Sequence, residues 1–145
     1  MKYRFRYESL LKYRNFLKKE AELQFSKVLA HNRELNRRKK NLLATIDRML
    51  SEARQLLSEG TTAGKYQQMV NYVEELKMRL KMLEKEIEKS NKEVEIARQQ
   101  LVNRMVDVEV LEKLSSRDFE DYKKQLKLKE TRTNDELYLL KFNNT

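Results

Sequence analysis

Ser58-Glu59-Gly60-Thr61-Thr62-Ala63-Gly64-Lys65 holds both glycines of a chain that contains no proline, so everything on either side of it is free to be helix. Glycine tolerates the left-handed conformation that ends a helix, and Thr61 or Thr62 can cap the helix that follows. The chain is therefore expected to turn once, with a helix over about residues 5–58, a turn at 59–64 and a second helix over about residues 65–140. At about 1.5 Å per residue the two would run roughly 80 Å and up to 120 Å. The predicted fold class is all-α: two long antiparallel helices forming a coiled-coil hairpin, the second helix longer, as a single unit over residues 1–145.

Composition agrees with a thin two-helix seam more than with a compact core. Charged residues make up 38% of the chain and aromatics 8%, and tryptophan is absent. Without cysteine there is no disulfide and no thiolate metal site. No apolar run approaches the roughly 18 residues of a membrane span, and MKYRFRYESL lacks the apolar core of a signal peptide, so a cytosolic protein is expected. The net charge of +9 is unevenly placed. Residues 1–40 hold 13 Lys and Arg against 4 Glu, whereas residues 41–145 hold 19 cations and 19 anions. A basic first arm suits an acidic protein partner, nucleic acid or an anionic membrane surface, or is a solvated face.

The seam is legible as heptads. In the first helix Ala21, Val28, Leu35, Leu42, Met49 and Leu56 recur every seven residues. A second row, Leu11, Phe25, Ile46 and Ala53, is interrupted by Lys18, Asn32 and Lys39. Leu43, Leu50 and Leu57 are expected to widen the stripe close to the turn. The second helix reads more cleanly, with Tyr66, Val73, Leu80, Ile87, Val94, Leu101 and Val108 accompanied by Met69, Leu76, Leu83, Ala97 and Leu111. With the turn near Thr61 and Thr62, residue i faces roughly position 123 minus i in an antiparallel pair. That sets Leu35 near Ile87, and His31 and Asn32 opposite Ser90 and Asn91 as a polar layer that fixes register.

Both ends of the chain invite a partner. Tyr3, Phe5 and Tyr7 alternate with Lys2, Arg4 and Arg6, a pattern that can stack on bases, insert at a membrane interface or fill an apolar groove on a protein. By the mirror relation Phe5 faces about Asp118, so residues from Phe119 onward should project without an intramolecular partner. Thr133 followed by Glu136 fits a capping box, from which a separate last helix carrying Leu137, Tyr138, Leu139, Leu140 and Phe142 could start.

No catalytic site can be assembled. His31 is the single histidine, so no histidine triad or histidine-rich metal site can form within one chain. Glu84, Glu88 and Glu95 are answered by Lys81, Lys85, Lys89 and Lys92, the pattern of surface ion pairs. GTTAGKY has three residues between its glycines where a phosphate-binding loop has four, with Tyr66 in place of the metal-binding hydroxyl and no strand before it. The chain is read as a binding protein and not an enzyme, with no catalytic residue, metal or cofactor.

Taken together, FRYESLLKYR with Phe5, Leu11 and Arg14, then Glu20 and Glu22, the Gly-Thr-Thr-Ala-Gly turn and the run KYQQMVNYVEEL resemble the FliJ family of the bacterial flagellar type III export apparatus, over nearly the whole chain. The resemblance implies a coiled-coil stalk and chaperone that binds the hexameric export ATPase, promotes its assembly and couples it to the export gate. It implies three partners, namely the flagellar export ATPase hexamer, the export gate membrane protein and flagellar substrate chaperones, with no nucleic acid and no small molecule. The place implied is cytoplasmic, peripheral to the inner membrane at the flagellar base. Carried onto this chain, the ATPase-binding end comprises Phe5, Leu11, Arg14, Tyr122 and Leu126, and the export-gate patch comprises Leu42, Tyr72 and Leu76. The alternatives are a nucleic-acid-binding coiled coil, which predicts affinity falling steeply with salt, and a purely structural dimerising coiled coil, which predicts concentration-dependent mass.

Overall fold

The computed structural model describes residues 3–143. It contains two helices, α1 (Glu8–Glu59) and α2 (Ala63–Asn143), and among the described residues no strand. They pack against each other, and α2 is the longer at 81 residues against 52. The all-α, two-helix reading is correct.

The connection shows why the chain reverses where it does. Gly60 takes φ +93°, the left-handed region, while its N–H still donates to Leu56 O at 3.0 Å, which is the usual way a helix terminates. Thr62 then caps α2. Its Oγ1 accepts from the Lys65 N–H at 3.3 Å, and its carbonyl accepts from the Tyr66 N–H at 3.2 Å, the first helical bond. Only residues 60–62 lie between the helices, and the second glycine, Gly64, is a helical residue in the first turn of α2 with open space where a Cβ would sit. One glycine makes the turn; the other is tolerated next to it.

The contacts group the chain into two units, one of Ala21–Gln100 and one of Met1–Glu20 with Leu101–Thr145. In the first, the buried side chains are Leu35, Ile46, Ala53, Val73, Leu76, Ile87, Ser90 and Ala97, and all eight stand on the expected heptad rows. Two of the positions where the α1 row breaks, Asn32 and Lys39, are met by polar partners across the seam. Asn32 Nδ2 donates to Ser90 Oγ at 3.1 Å and to Asn91 Oδ1 at 2.8 Å, and Asn36 Nδ2 donates in turn to Asn32 Oδ1 at 3.1 Å. Lys39, half-buried, turns its ammonium toward Glu84 at 3.9 Å. These pairings obey the predicted register. His31 is exposed at the edge of the layer, where it lines a surface groove with Ser90 and Glu86. The stripe does not widen near the turn as expected, because Leu50 is half-buried while Leu43 and Leu57 are exposed. A residue one position past a seam row is rotated about 100° from it, too far to reach the facing helix.

In the second unit Val108 and Leu111 continue the α2 rows into burial, and Phe5 is buried as well, at 9% exposure. Arg14, half-buried, occupies a seam position and donates from Nη1 to the carbonyl oxygen of Asp107 at 3.0 Å. The helix begins at Glu8, later than the expected position near 5, because residues 3–5 run irregularly along α2. Nor does α2 break at Thr133. The Thr133 hydroxyl donates back to Lys129 O at 2.9 Å, a bond made inside a helix and not at its cap, so α2 is continuous to Asn143.

Candidate binding surfaces

The unit holding both ends of the chain is built from alternating rings and cations. Tyr3 lies with its ring centroid 5.2 Å from Phe119 and 5.2 Å from Tyr122, tilted against both. Phe5 meets Tyr7 edge-on at 5.8 Å, and the Arg6 guanidinium stands 5.5 Å over the Tyr7 ring. The Lys123 ammonium lies 4.5 Å over Phe119. This corrects the expectation that α2 is uncovered from Phe119 onward: the mirror relation, carried past Phe5 to Tyr3, reaches position 120, and the Tyr3 ring covers α2 on either side of it, at Phe119 and Tyr122.

The five residues inferred for an ATPase-binding end therefore have different surroundings. Phe5 is buried, Leu11 half-buried on the seam, and Arg14 is tied to α2 through Asp107. Tyr122 is half-buried beside Tyr3. Leu126, one helical turn beyond, is 44% exposed. From Lys123 to Asn143 every described residue of α2 is exposed, including Leu128, Leu137, Tyr138, Leu139, Leu140 and Phe142. So many large apolar side chains in water are the mark of a surface that is covered in use.

The three residues inferred for an export-gate patch also divide. Leu76 is buried in the seam, Leu42 is half-buried and Tyr72 is 42% exposed. Nearby on α2, Met78 and Met82 are more exposed still, at 68% and 70%. Sequence reading passed over both. They lie off the seam rows and one helical turn apart, and a flexible thioether pair of that kind adapts to varied partners.

Electrostatics is local. On α1 the Glu34 carboxylate receives Arg37 in a two-pronged contact, with Nη2 to Oε1 at 2.6 Å and Nε to Oε2 at 2.9 Å, and Arg38 Nε approaches Oε1 at 3.4 Å. The Arg37 hydrogen bond, opposed by partial desolvation and aided by the two positive charges, holds its pKa down at about 2. Burial, with a smaller effect of the Asp118 carboxylate, raises the Tyr3 phenol above its ordinary value. Among the described residues no group of His, Cys, Asp and Glu is placed to hold a metal ion. Among the same residues no helix is long and apolar enough to cross a membrane.

Two helices that pack along heptad seams and are joined by a short glycine turn define a two-helix coiled-coil protein. The profile of the family described as Flagellar FliJ protein matches residues 2–145. The chain belongs to that family, whose members are non-catalytic coiled-coil proteins associated with the flagellar export apparatus. No curated protein and no solved structure matches the chain.

Proposed function

We propose that this chain is the stalk and chaperone of its flagellar export apparatus: it binds the hexameric export ATPase, promotes assembly of the ring, and couples it to the export gate. The reading places the protein on the cytoplasmic side, peripheral to the inner membrane at the flagellar base, where it also hands over substrate chaperones. The family membership supplies the system. The observation that carries the choice of contact is the α2 end from Tyr122 to Phe142, apolar at seven exposed positions and continuous with the basic-aromatic segment that holds Arg4 and Arg6. Apolar anchors beside arginines suit an interface in which rings fill pockets and guanidiniums pair with carboxylates.

In this mechanism the stalk does no chemistry. Binding energy from the stalk favours the assembled ring over its free subunits, because a ligand that contacts several subunits at once stabilises the state in which they are together. The gate contact would use Tyr72, together with half-buried Leu42 on α1, and Leu76 would serve mainly to hold the helix on which Tyr72 stands.

Leu126 gives the cleanest test, since its exposure separates docking from folding. Leu126→Ala should weaken capture of the export ATPase while leaving helicity and melting temperature unchanged. Normal binding by that variant together with Tyr122→Ala would remove this end from the interface. Concentration-dependent mass of the chain alone would instead point to self-pairing through the same apolar positions.

A further inference from the structure

The contact of Tyr3 with α2 looks like an occupied site. Its ring sits on two aromatic neighbours at 5.2 Å each, yet its hydroxyl is shut away from water with no hydrogen-bond partner. An orphaned hydroxyl makes this ring a poor occupant of an otherwise well-formed aromatic face. The nearby backbone bonds run from the Glu8 N–H to Phe5 O at 3.2 Å and from the Leu11 N–H to Tyr7 O at 2.9 Å, so Tyr3 lies before both and can lift with both intact. Phe5, buried and edge-on to Tyr7, anchors the segment. The face beneath Tyr3 continues one turn along α2 to exposed Leu126.

We propose that the Phe119 and Tyr122 face of α2 is a docking site for an apolar or aromatic side chain of the export ATPase, and that Tyr3 fills it in the free chain as a self-ligand which the partner displaces. This rests on the reading of the chain as an ATPase-binding stalk. The occupant is argued from what the site already accepts: a ring, packed on two rings, which leaves a polar group unsatisfied. A partner side chain without that hydroxyl fills the face without the penalty. Tyr3 then swings out with Arg4, the cation that precedes the Phe5 anchor, which can pair with a carboxylate on the partner. The free chain thus keeps an adhesive aromatic face covered, and exposes it only when something better occupies it.

The test is titration of the purified export ATPase onto the full chain in three forms, wild type, Tyr3→Phe and Tyr3→Ala, with helicity followed in parallel. Apparent affinity is the intrinsic affinity scaled by the fraction of chain whose site is open. Tyr3→Phe keeps the ring and removes the orphaned hydroxyl, so the closed form gains and the apparent Kd should rise about 5-fold or more. Tyr3→Ala leaves the face open, and the apparent Kd should fall below that of wild type. Weaker binding by Tyr3→Ala would make Tyr3 a direct contact and overturn the self-ligand, as would a Tyr3→Phe form indistinguishable from wild type. Tight binding by Phe119→Ala would overturn the site itself. Absence of binding by the wild-type chain would overturn both this inference and the stalk reading, which the other failures leave standing.

Discussion

Replacing Asn32 by alanine should be felt along the whole seam of the unit in which it lies. Its amide makes two bonds across to α2, one to the hydroxyl of Ser90, which is only 2% exposed, and one to the exposed Asn91. Losing the exposed bond should matter little, because water replaces it. Losing the bond to Ser90 leaves a buried hydroxyl oxygen without its donor, and a small cavity opens beside it. Together these should lower stability by about 1–2 kcal/mol. For a chain of this length that corresponds to a fall in melting temperature of about 3–8 °C, measurable by far-UV circular dichroism. The informative partner is Asn32→Leu combined with Ser90→Ala, which makes the layer apolar on both sides. It should recover wild-type stability or exceed it, since replacing both partners of a buried polar pair removes the desolvation penalty along with the bond. Register should then be less strictly held, seen as more even amide exchange through residues 86–97. An Asn32→Ala protein within about 0.3 kcal/mol of wild type, or a double variant no more stable than the single, would refute the role given to this layer.

Three further expectations concern the turn, the seam and the charges. Gly64→Ala should stabilise by about 0.5–1 kcal/mol, since its helical backbone has open space for a Cβ, whereas Gly60→Ala at φ +93° should destabilise by about 1 kcal/mol; urea unfolding distinguishes them. Leu76→Ala should destabilise by about 2–4 kcal/mol while Tyr72→Ala leaves stability within about 0.5 kcal/mol, so a gate-binding defect in Tyr72→Ala alone would be a loss of contact and not of fold. The Glu34 carboxyl should titrate near 2 by NMR. Because its folded pKa is depressed, its small stabilising effect is complete above the ordinary value of 4.5 and is lost as pH falls toward 2, and Arg37→Ala should return the midpoint toward 4.5.

The fold was legible because two independent signals agreed. Proline and glycine are so scarce that only one place could turn, and four heptad rows meet there in mirror order. Ser90, Leu35, Ile87 and Val108 are all buried where the rows put them. What escaped sequence reading depends on things a periodicity does not contain. Residues 3–5 depart from helix, which no heptad row reports, although Tyr3 still meets α2 about where the mirror relation puts it, between Phe119 and Tyr122. Thr133 has the sequence of a cap, but a threonine hydroxyl is as well satisfied by the carbonyl four residues earlier, and nothing nearby stops the helix. Exposure of Met78 and Met82 follows from the rows once these are drawn, yet methionine in a coiled coil is easily assumed to be core. For the binding residues the seam decides what can be known. Phe5, Leu11, Arg14 and Leu76 each have structural work within the chain, so their residue types follow from packing alone, whereas Leu126 and Tyr72 have surfaces free for a partner.

The central claim is that this chain acts on an ATPase ring without chemistry of its own. The most direct measurement is the turnover rate and hexamer content of the purified export ATPase from the same organism, at moderate salt, as the chain is added. The account predicts that both rise together and saturate at a fixed ratio of chain to hexamer, and that Leu126→Ala blunts the rise. Unchanged turnover and unchanged hexamer content at saturating chain would contradict it.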